Sequence, residues 1–146
     1  MESGMTFDID LLARTPDLRD METSGARLVM TLRLWVVMNK LGRCPLQAMA
    51  EKLGSRRAAA HLHLMLEEVG AAWPEPFCVS PPCCPRLSHD EALVLDMVRA
   101  AGREDRPGFD RLLSDLLPAD AREPLFASAG LVAATMREAR PPFPSA

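Results

Sequence analysis

The amino-acid sequence predicts an all-α fold, a single-domain bundle of five or six helices with a central loop rich in proline and cysteine. Its apolar residues are mainly Leu, Val, Ala and Met, aromatic residues make up 5% of the chain, and tyrosine is absent. Strands draw on β-branched and aromatic residues, so this composition favours packed helices. Apolar residues also recur at helical spacing between glycine and proline breakers.

The helical domain is expected over residues 24–139. Residues 1–23 mix acids with isolated apolar side chains, which predicts an N-terminal arm that is partly disordered, and residues 140–146 predict a proline-rich tail. The start of the chain lacks the basic and apolar regions of a secretory signal, and no stretch has the ~20 apolar residues of a membrane span. We therefore expect a cytoplasmic protein with no membrane partner.

The first helix is expected to begin at the capping residues Thr23-Ser24 and to run to about Leu41, where Gly42 gives an end signal. Its apolar residues occupy nearly every side and are Leu28, Val29, Met30, Leu32, Leu34, Trp35, Val36, Val37 and Met38. A helix that is apolar all round is buried on most sides. The sequence therefore predicts that this helix forms the centre of the core.

Two helices separated by Gly54 are expected next. Pro45 is tolerated in a first helical turn, and residues 46–53 predict a short helix that Gly54 closes. Ser55 then caps a longer helix, whose apolar stripe continues to Gly70.

Three more helices are expected after the central loop. Residues 88–91 have the Ser-x-x-Glu form of a capping box, which predicts a helix from there to Gly102. A charged loop over residues 102–108 precedes an apolar stripe over residues 109–117. The last helix is expected to begin near Pro124.

The central loop contains most residues with chemical potential. Residues 71–85 carry five prolines, so we expect irregular structure, anchored by Trp73 and Phe77. The candidate metal ligands are Cys78, Cys83, Cys84 and His89, with Cys44 available if the fold brings it near. Zinc usually takes paired Cys-x2-4-Cys units, whereas the spacing here is Cys-x4-Cys-Cys-x4-His. Three interpretations stay open: thiols packed as small apolar groups, a zinc site, or a redox-active thiol.

Residues 45–70 resemble a helix–turn–helix DNA-binding unit. The candidate nucleic-acid contacts are Lys52, Arg56 and Arg57, because the first residues of the second helix contact bases in that motif while basic side chains hold phosphates. The apolar residue usual after the turn is missing, since Ser55 follows the turn glycine directly. The same pattern also builds ordinary helical bundles.

Charge is distributed unevenly along the chain. Residues 27–64 contain seven basic residues and one acid, Glu51, inside a protein with a net charge of −3. Such a basic block is either a partner site or a counterweight to the acidic flanks.

The run at residues 83–91, Cys-Cys-Pro-Arg-Leu-x-x-Asp-Glu, resembles a family of small uncharacterised bacterial proteins, a domain of unknown function. The resemblance covers most of residues 25–138, with two helices before the run and a leucine-rich helix after it. It implies a fold grouping and supplies no activity.

No catalytic signature occurs in the sequence: a glycine-rich phosphate loop, a nucleophile elbow and an HExxH motif are all missing. We therefore expect a non-catalytic regulatory or interaction protein that acts on an unknown protein partner or on a second copy of itself. DNA binding through residues 45–70 is the first alternative. A thiolate metal or redox site over residues 78–89 is the second, with zinc as its cofactor; otherwise no cofactor is expected.

Overall fold

The computed structural model of the protein describes residues 16–139, which form six α-helices and one short 3-10 turn, Leu18–Asp20. The predicted all-α bundle of five or six helices is confirmed. Residues 1–15 of the expected arm and the expected tail at 140–146 lie outside the described residues. The helices are α1 (Thr23–Lys40), α2 (Leu46–Leu53), α3 (Arg56–Ala72), α4 (His89–Gly102), α5 (Arg106–Leu113) and α6 (Ala119–Glu138).

The core is built around α6. This helix packs along both α3 and α4, while α2 packs onto α3 and α5 packs onto α4. Its inward side chains Leu125, Ala129 and Val132 are fully buried. Phe109 of α5 is also buried, and its ring meets that of Phe126 edge-on at 5.1 Å, a favourable aromatic arrangement.

α1 lies at the side of this core, where it packs against α2 and α4. Leu28 and Leu32 are buried, but Met30 and Val37 keep 41% and 36% of their surface exposed. The prediction that α1 forms the centre of the core is therefore wrong. Apolar residues on every side allow a helix to be buried all round, but here the extensive contacts are those of α6 with α3 and α4, and α1 contacts mainly α2 and α4.

Local signals set several helix ends as predicted. Gly54 adopts φ +74°, the left-handed conformation that ends a helix at low cost for glycine. Ser88 caps α4, which ends at Gly102. The predicted cap of α1 is not formed, because the helix begins at Thr23 itself with Glu22 in the cap position.

Three boundaries in the C-terminal half differ from the prediction. α5 begins at Arg106 because the Asp105 side chain caps it, so the charged loop is shorter than expected, and it ends at Leu113 rather than at residue 117. α6 begins at Ala119, five residues before Pro124. Pro124 lacks an amide hydrogen for the Asp120 carbonyl, but both residues are exposed and water can bond that carbonyl.

The central loop is irregular from residue 73 to residue 88, as predicted for most of residues 71–85, although α3 continues past Gly70 to Ala72. The Trp73 ring is buried, and its centroid lies 5.5 Å from that of Phe77, so the two aromatic residues anchor the loop as expected. The segment before α1 also holds the loop, since the Leu18 amide donates to the Pro85 carbonyl at 2.7 Å.

Candidate functional site

A buried ion pair joins α1 to the start of α4. Arg33 is 2% exposed and Glu91 is 0% exposed. The Arg33 guanidinium donates through Nε to Glu91 Oε2 at 2.8 Å and through Nη2 to Glu91 Oε1 at 3.0 Å. Two parallel hydrogen bonds of this kind form the strong bidentate geometry of arginine and carboxylate.

Glu91 also organises the start of α4. Its carboxylate accepts hydrogen bonds from the backbone amides of Ser80 at 3.1 Å and Ser88 at 2.8 Å. In return, Ser88 Oγ accepts from the Glu91 amide at 3.0 Å, which completes the predicted capping box. The buried carboxylate therefore has four donors, two from Arg33 and two from the backbone, as a buried charge requires.

The other donors of Arg33 hold the central loop. Its Nη1 donates to the carbonyls of Pro81 at 3.3 Å and Cys84 at 2.7 Å, and its Nη2 donates to the Arg86 carbonyl at 3.0 Å. Prolines remove amide donors from this segment, so its carbonyls cannot all be satisfied by backbone bonding. Arg33 supplies the missing donors and thereby fixes the loop conformation.

The cysteines lie at the surface of this loop rather than beneath it. Cys78 and Cys83 are exposed, Cys84 is half-buried, and Cys44 is exposed between α1 and α2. The interpretation that the cysteines pack as small apolar groups is therefore wrong for the three exposed thiols. The loop backbone is held by Arg33, so its shape does not depend on burying sulfur.

The four predicted metal ligands do not form one coordination sphere. Within residues 16–139, no group of three or more His, Cys, Asp or Glu side chains is arranged to hold a metal ion. His89 is exposed in the first turn of α4. The thiols of Cys78 and Cys84 contact the carbonyls of Pro76 and Arg86, each at 3.6 Å. The zinc and redox interpretations stay predictions.

α2 and α3 form the expected sequence of short helix, glycine turn and longer helix. Ser55 caps α3 by accepting a hydrogen bond from the Ala58 amide at 3.1 Å. A groove of about 690 Å³ runs between the two helices, with the small residues Ala50 and Ala59 in its wall. Ser55, which stands where the motif usually has an apolar residue, also lines this groove.

The basic residues of the block over residues 27–64 differ in solvent exposure. Arg33 is buried in its ion pair with Glu91, and Arg27 is half-buried. The remaining five basic residues are exposed: Lys40, Arg43, Lys52, Arg56 and Arg57. Arg57 also forms an ion pair with Glu138 at 3.2 Å. The exposed positive charge is thus smaller than the sequence count indicates.

The outward side of α1 carries an apolar stripe, which we call the α1 stripe: Met30, Leu34 and Val37, continued by Leu41 directly after the helix. Successive spacings of four, three and four residues keep these side chains on one side of the helix. That side faces away from the buried Leu28. Leu34 is half-buried and the other three are exposed. The helix therefore presents apolar surface both to the core and to solvent.

Comparison of the chain with protein-family models, with curated proteins and with solved structures finds no match to any of them. The resemblance through residues 83–91 therefore stays a prediction. Among the helices of residues 16–139, none is long and apolar enough to cross a membrane.

Sequence reasoning missed the Arg33–Glu91 pair. The sequence places Arg33 in the basic block over residues 27–64 and Glu91 in the capping box. Nothing in the sequence links them, because the two residues of this ion pair are 58 positions apart. The available signal was an arginine among apolar residues in the middle of a helix. If such a residue lies on the buried side of the helix, it must find a buried acid, because an unpaired buried charge is too costly.

Proposed function

We propose that this protein is a non-catalytic interaction protein that pairs with a second copy of itself through the α1 stripe. The observation that supports this function is the exposure of the stripe. Single exposed apolar side chains are ordinary, but contiguous exposed apolar surface marks interaction sites. The four residues follow one another along the helix, so they form a continuous seam.

The stripe suits a second copy because it is self-complementary. Its spacing matches the a and d positions at which two equivalent helices pack side by side in a coiled coil. An antiparallel, two-fold pair lays the stripe of one copy on that of the other, with Met30 opposite Leu41 and Leu34 opposite Val37, because these positions are symmetric about the middle of the stripe.

The expected association is reversible. From Met30 to Leu41 the stripe spans about 17 Å of helix. A single helix segment of this length buries much less than the roughly 800 Å² of surface that each partner buries in a standard stable interface. We therefore expect a monomer–dimer equilibrium that depends on protein concentration.

Sedimentation equilibrium over a range of concentrations tests the pairing. The wild-type protein should show a dimer fraction that rises with concentration, and Val37→Glu combined with Leu41→Glu should remain monomeric. Leu64→Glu is the control, because Leu64 on α3 is also an exposed apolar residue, at 57%, and lies outside the stripe. A wild-type protein that stays monomeric at every concentration, or a dimer lost only in the Leu64 variant, would contradict the proposal.

A pair of substitutions tests the antiparallel orientation. Met30→Glu and Leu41→Lys should each weaken the dimer, because each variant places a charge against an apolar side chain of the other copy. The two changes together should restore part of it, since opposite charges then face each other across the pair. Losses that simply add would contradict the antiparallel arrangement.

DNA binding is a second candidate, favoured by the exposure of Lys52 and Arg56 on either side of the Gly54 turn. Basic side chains at the start of the second helix suit contacts to phosphates and base edges. A gel shift with duplex DNA at low salt tests it. Lys52→Ala with Arg56→Ala should abolish the shift while Arg111→Ala, at an exposed position of α5, should not. The absence of a low-salt shift would eliminate this candidate.

A further inference from the structure

A cleft of about 310 Å³ opens between the first turn of α1 and the C-terminal turns of α4 and α6. Its wall is mainly apolar and includes Leu28, Leu95, Val98 and Met136. Small-molecule sites are typically concave, largely apolar and upward of about 300 Å³, with a few polar groups that fix orientation. This cleft has that size and composition.

Three arginines and one acid line the cleft: Arg99, Arg103 and Arg137 with Glu22. Arg99 donates to Glu22 and so already has a carboxylate partner. Arg103 is exposed, and within residues 16–139 it forms none of the observed ion pairs. The cleft is therefore an apolar hollow with an excess of positive charge.

The backbone holds one of these arginines in place. Arg137 Nη1 donates to the Gly102 carbonyl at 3.1 Å. A Cβ atom on Gly102 would lie 2.9 Å from Ala133 Cβ, so α4 and α6 approach each other closely because residue 102 is glycine. This close crossing brings the end of α4 beneath the Arg137 side chain. The guanidinium keeps further donors for a ligand, since arginine has five N–H groups.

We infer that the cleft binds a small amphipathic carboxylate, with its apolar body in the hollow and its carboxylate at Arg103 and Arg137. The charge excess selects an anion, and the planar guanidinium suits a carboxylate because it can donate two parallel hydrogen bonds. The apolar wall selects a ligand with a hydrocarbon or aromatic body. The hydrogen bond from Arg99 to the Glu22 carboxylate shows that an arginine of this cleft already binds a carboxylate.

This inference is independent of the proposed pairing. Leu28 in the cleft wall and Met30 in the α1 stripe are two residues apart, about 200° around the helix. A ligand in the cleft therefore leaves the stripe uncovered, and failure of either experiment does not affect the other.

Calorimetric titration with decanoate, kept below its micelle concentration, tests the site on the full chain. Decanoate should bind at one site, and its neutral analogue decanamide should bind about ten-fold more weakly or worse, because it cannot form charge-assisted hydrogen bonds. Arg103→Gln with Arg137→Gln should weaken decanoate by a similar factor. Arg86→Gln with Arg111→Gln is the matched control, since neither arginine lines the cleft.

A blocking variant makes the test independent of charge. Ser24 is exposed in the first turn of α1 and lines the cleft, so Ser24→Phe fills the hollow without altering the core. Decanoate binding should disappear in this variant while the circular dichroism spectrum stays unchanged. No saturable decanoate binding, equal binding of decanamide, or full binding in Ser24→Phe would each overturn the inference.

Discussion

Two arginine–glutamate pairs connect the α1 region to α4, and they differ above all in exposure. Arg33 of α1 meets Glu91 at the start of α4 in the buried interior. At the opposite end, Glu22, directly before α1, meets Arg99 of α4 at the surface. In the first pair α1 supplies the arginine and α4 the glutamate, whereas in the second the glutamate precedes α1 and α4 supplies the arginine. The two helices run antiparallel. The same two side-chain types therefore join the same two helices in two different environments.

The comparison teaches that the buried pair is structural and the exposed pair is secondary. Arg33 and Glu91 have lost their water, so every donor and acceptor that remains must be satisfied by the protein. That need draws the loop carbonyls and the capping amides into one network. Glu22 and Arg99 remain hydrated, so their pairing exchanges a contact with water for a contact with each other and gains little.

The largest expected effect is that of Arg33→Met, which leaves the Glu91 charge buried without its cation and the loop carbonyls without their donor. We expect the free energy of unfolding to fall by about 3–5 kcal/mol. Arg99→Met is the matched control and should cost about 0.2–1 kcal/mol. Urea unfolding followed by circular dichroism measures both. Equal losses in the two variants would contradict the comparison.

The same Arg33 variant has a local readout in the central loop. Cys84 is half-buried and its carbonyl accepts from Arg33, whereas Cys83 is already exposed. Loss of the network should therefore speed the reaction of Cys84 with a thiol reagent under native conditions and change Cys83 little. Unchanged Cys84 labelling would show that Arg33 does not hold the loop.

A smaller effect is expected for the coupling between the two buried charges. Glu91→Met and Arg33→Met should each destabilise the protein, and the double variant should lose less than the sum, by a coupling of about 0.5–3 kcal/mol. The double variant should not regain full stability, because the amides of Ser80 and Ser88 lose their acceptor. A double-mutant cycle measured by urea unfolding gives the coupling. Losses of unfolding free energy that simply add would contradict the network.

The smallest effect is expected for the exposed pair, and it depends on pH. The hydrogen bond from Arg99 lowers the pKa of Glu22 below its ordinary value of 4.5. A lowered carboxyl pKa stabilises the fold above the ordinary value, and this contribution is lost as pH falls through the lowered pKa. Glu22→Gln should therefore have a slightly lower unfolding temperature than the wild type at neutral pH. Thermal melts in acid should show the same unfolding temperature for both proteins, and a difference that persists there would contradict the assignment.

Much of the fold could be predicted because its signals are local. Gly54 ends α2 through its own backbone conformation, and the Ser88 capping box starts α4 through bonds within one turn. Pro124 shows where such reasoning fails: proline favours helix starts, yet α6 begins five residues earlier and tolerates it on an exposed side. The position of α1 could not be predicted, because its composition permits burial on either side.

The candidate sites also have some features that the sequence shows and others that only the packed helices show. The residue types of the central loop and of residues 45–70 were visible in the sequence, and so was the absence of a paired metal-ligand spacing. The α1 stripe was visible only as part of an all-round apolar helix, and the arginine-lined cleft not at all, since its wall comes from α1, α4 and α6. Sites shared by distant segments give no short-range pattern.

By itself the sequence determined that the chain is helical, where most helices begin and end, and that the proline-rich segment between α3 and α4 is irregular. These properties depend on hydrogen bonds and backbone conformations within a few residues. Only the tertiary structure decided that Arg33 is buried while Met30, three residues earlier, is exposed. The physical reason is that burial depends on the surface a side chain meets, and Glu91 reaches Arg33 only when the helices pack.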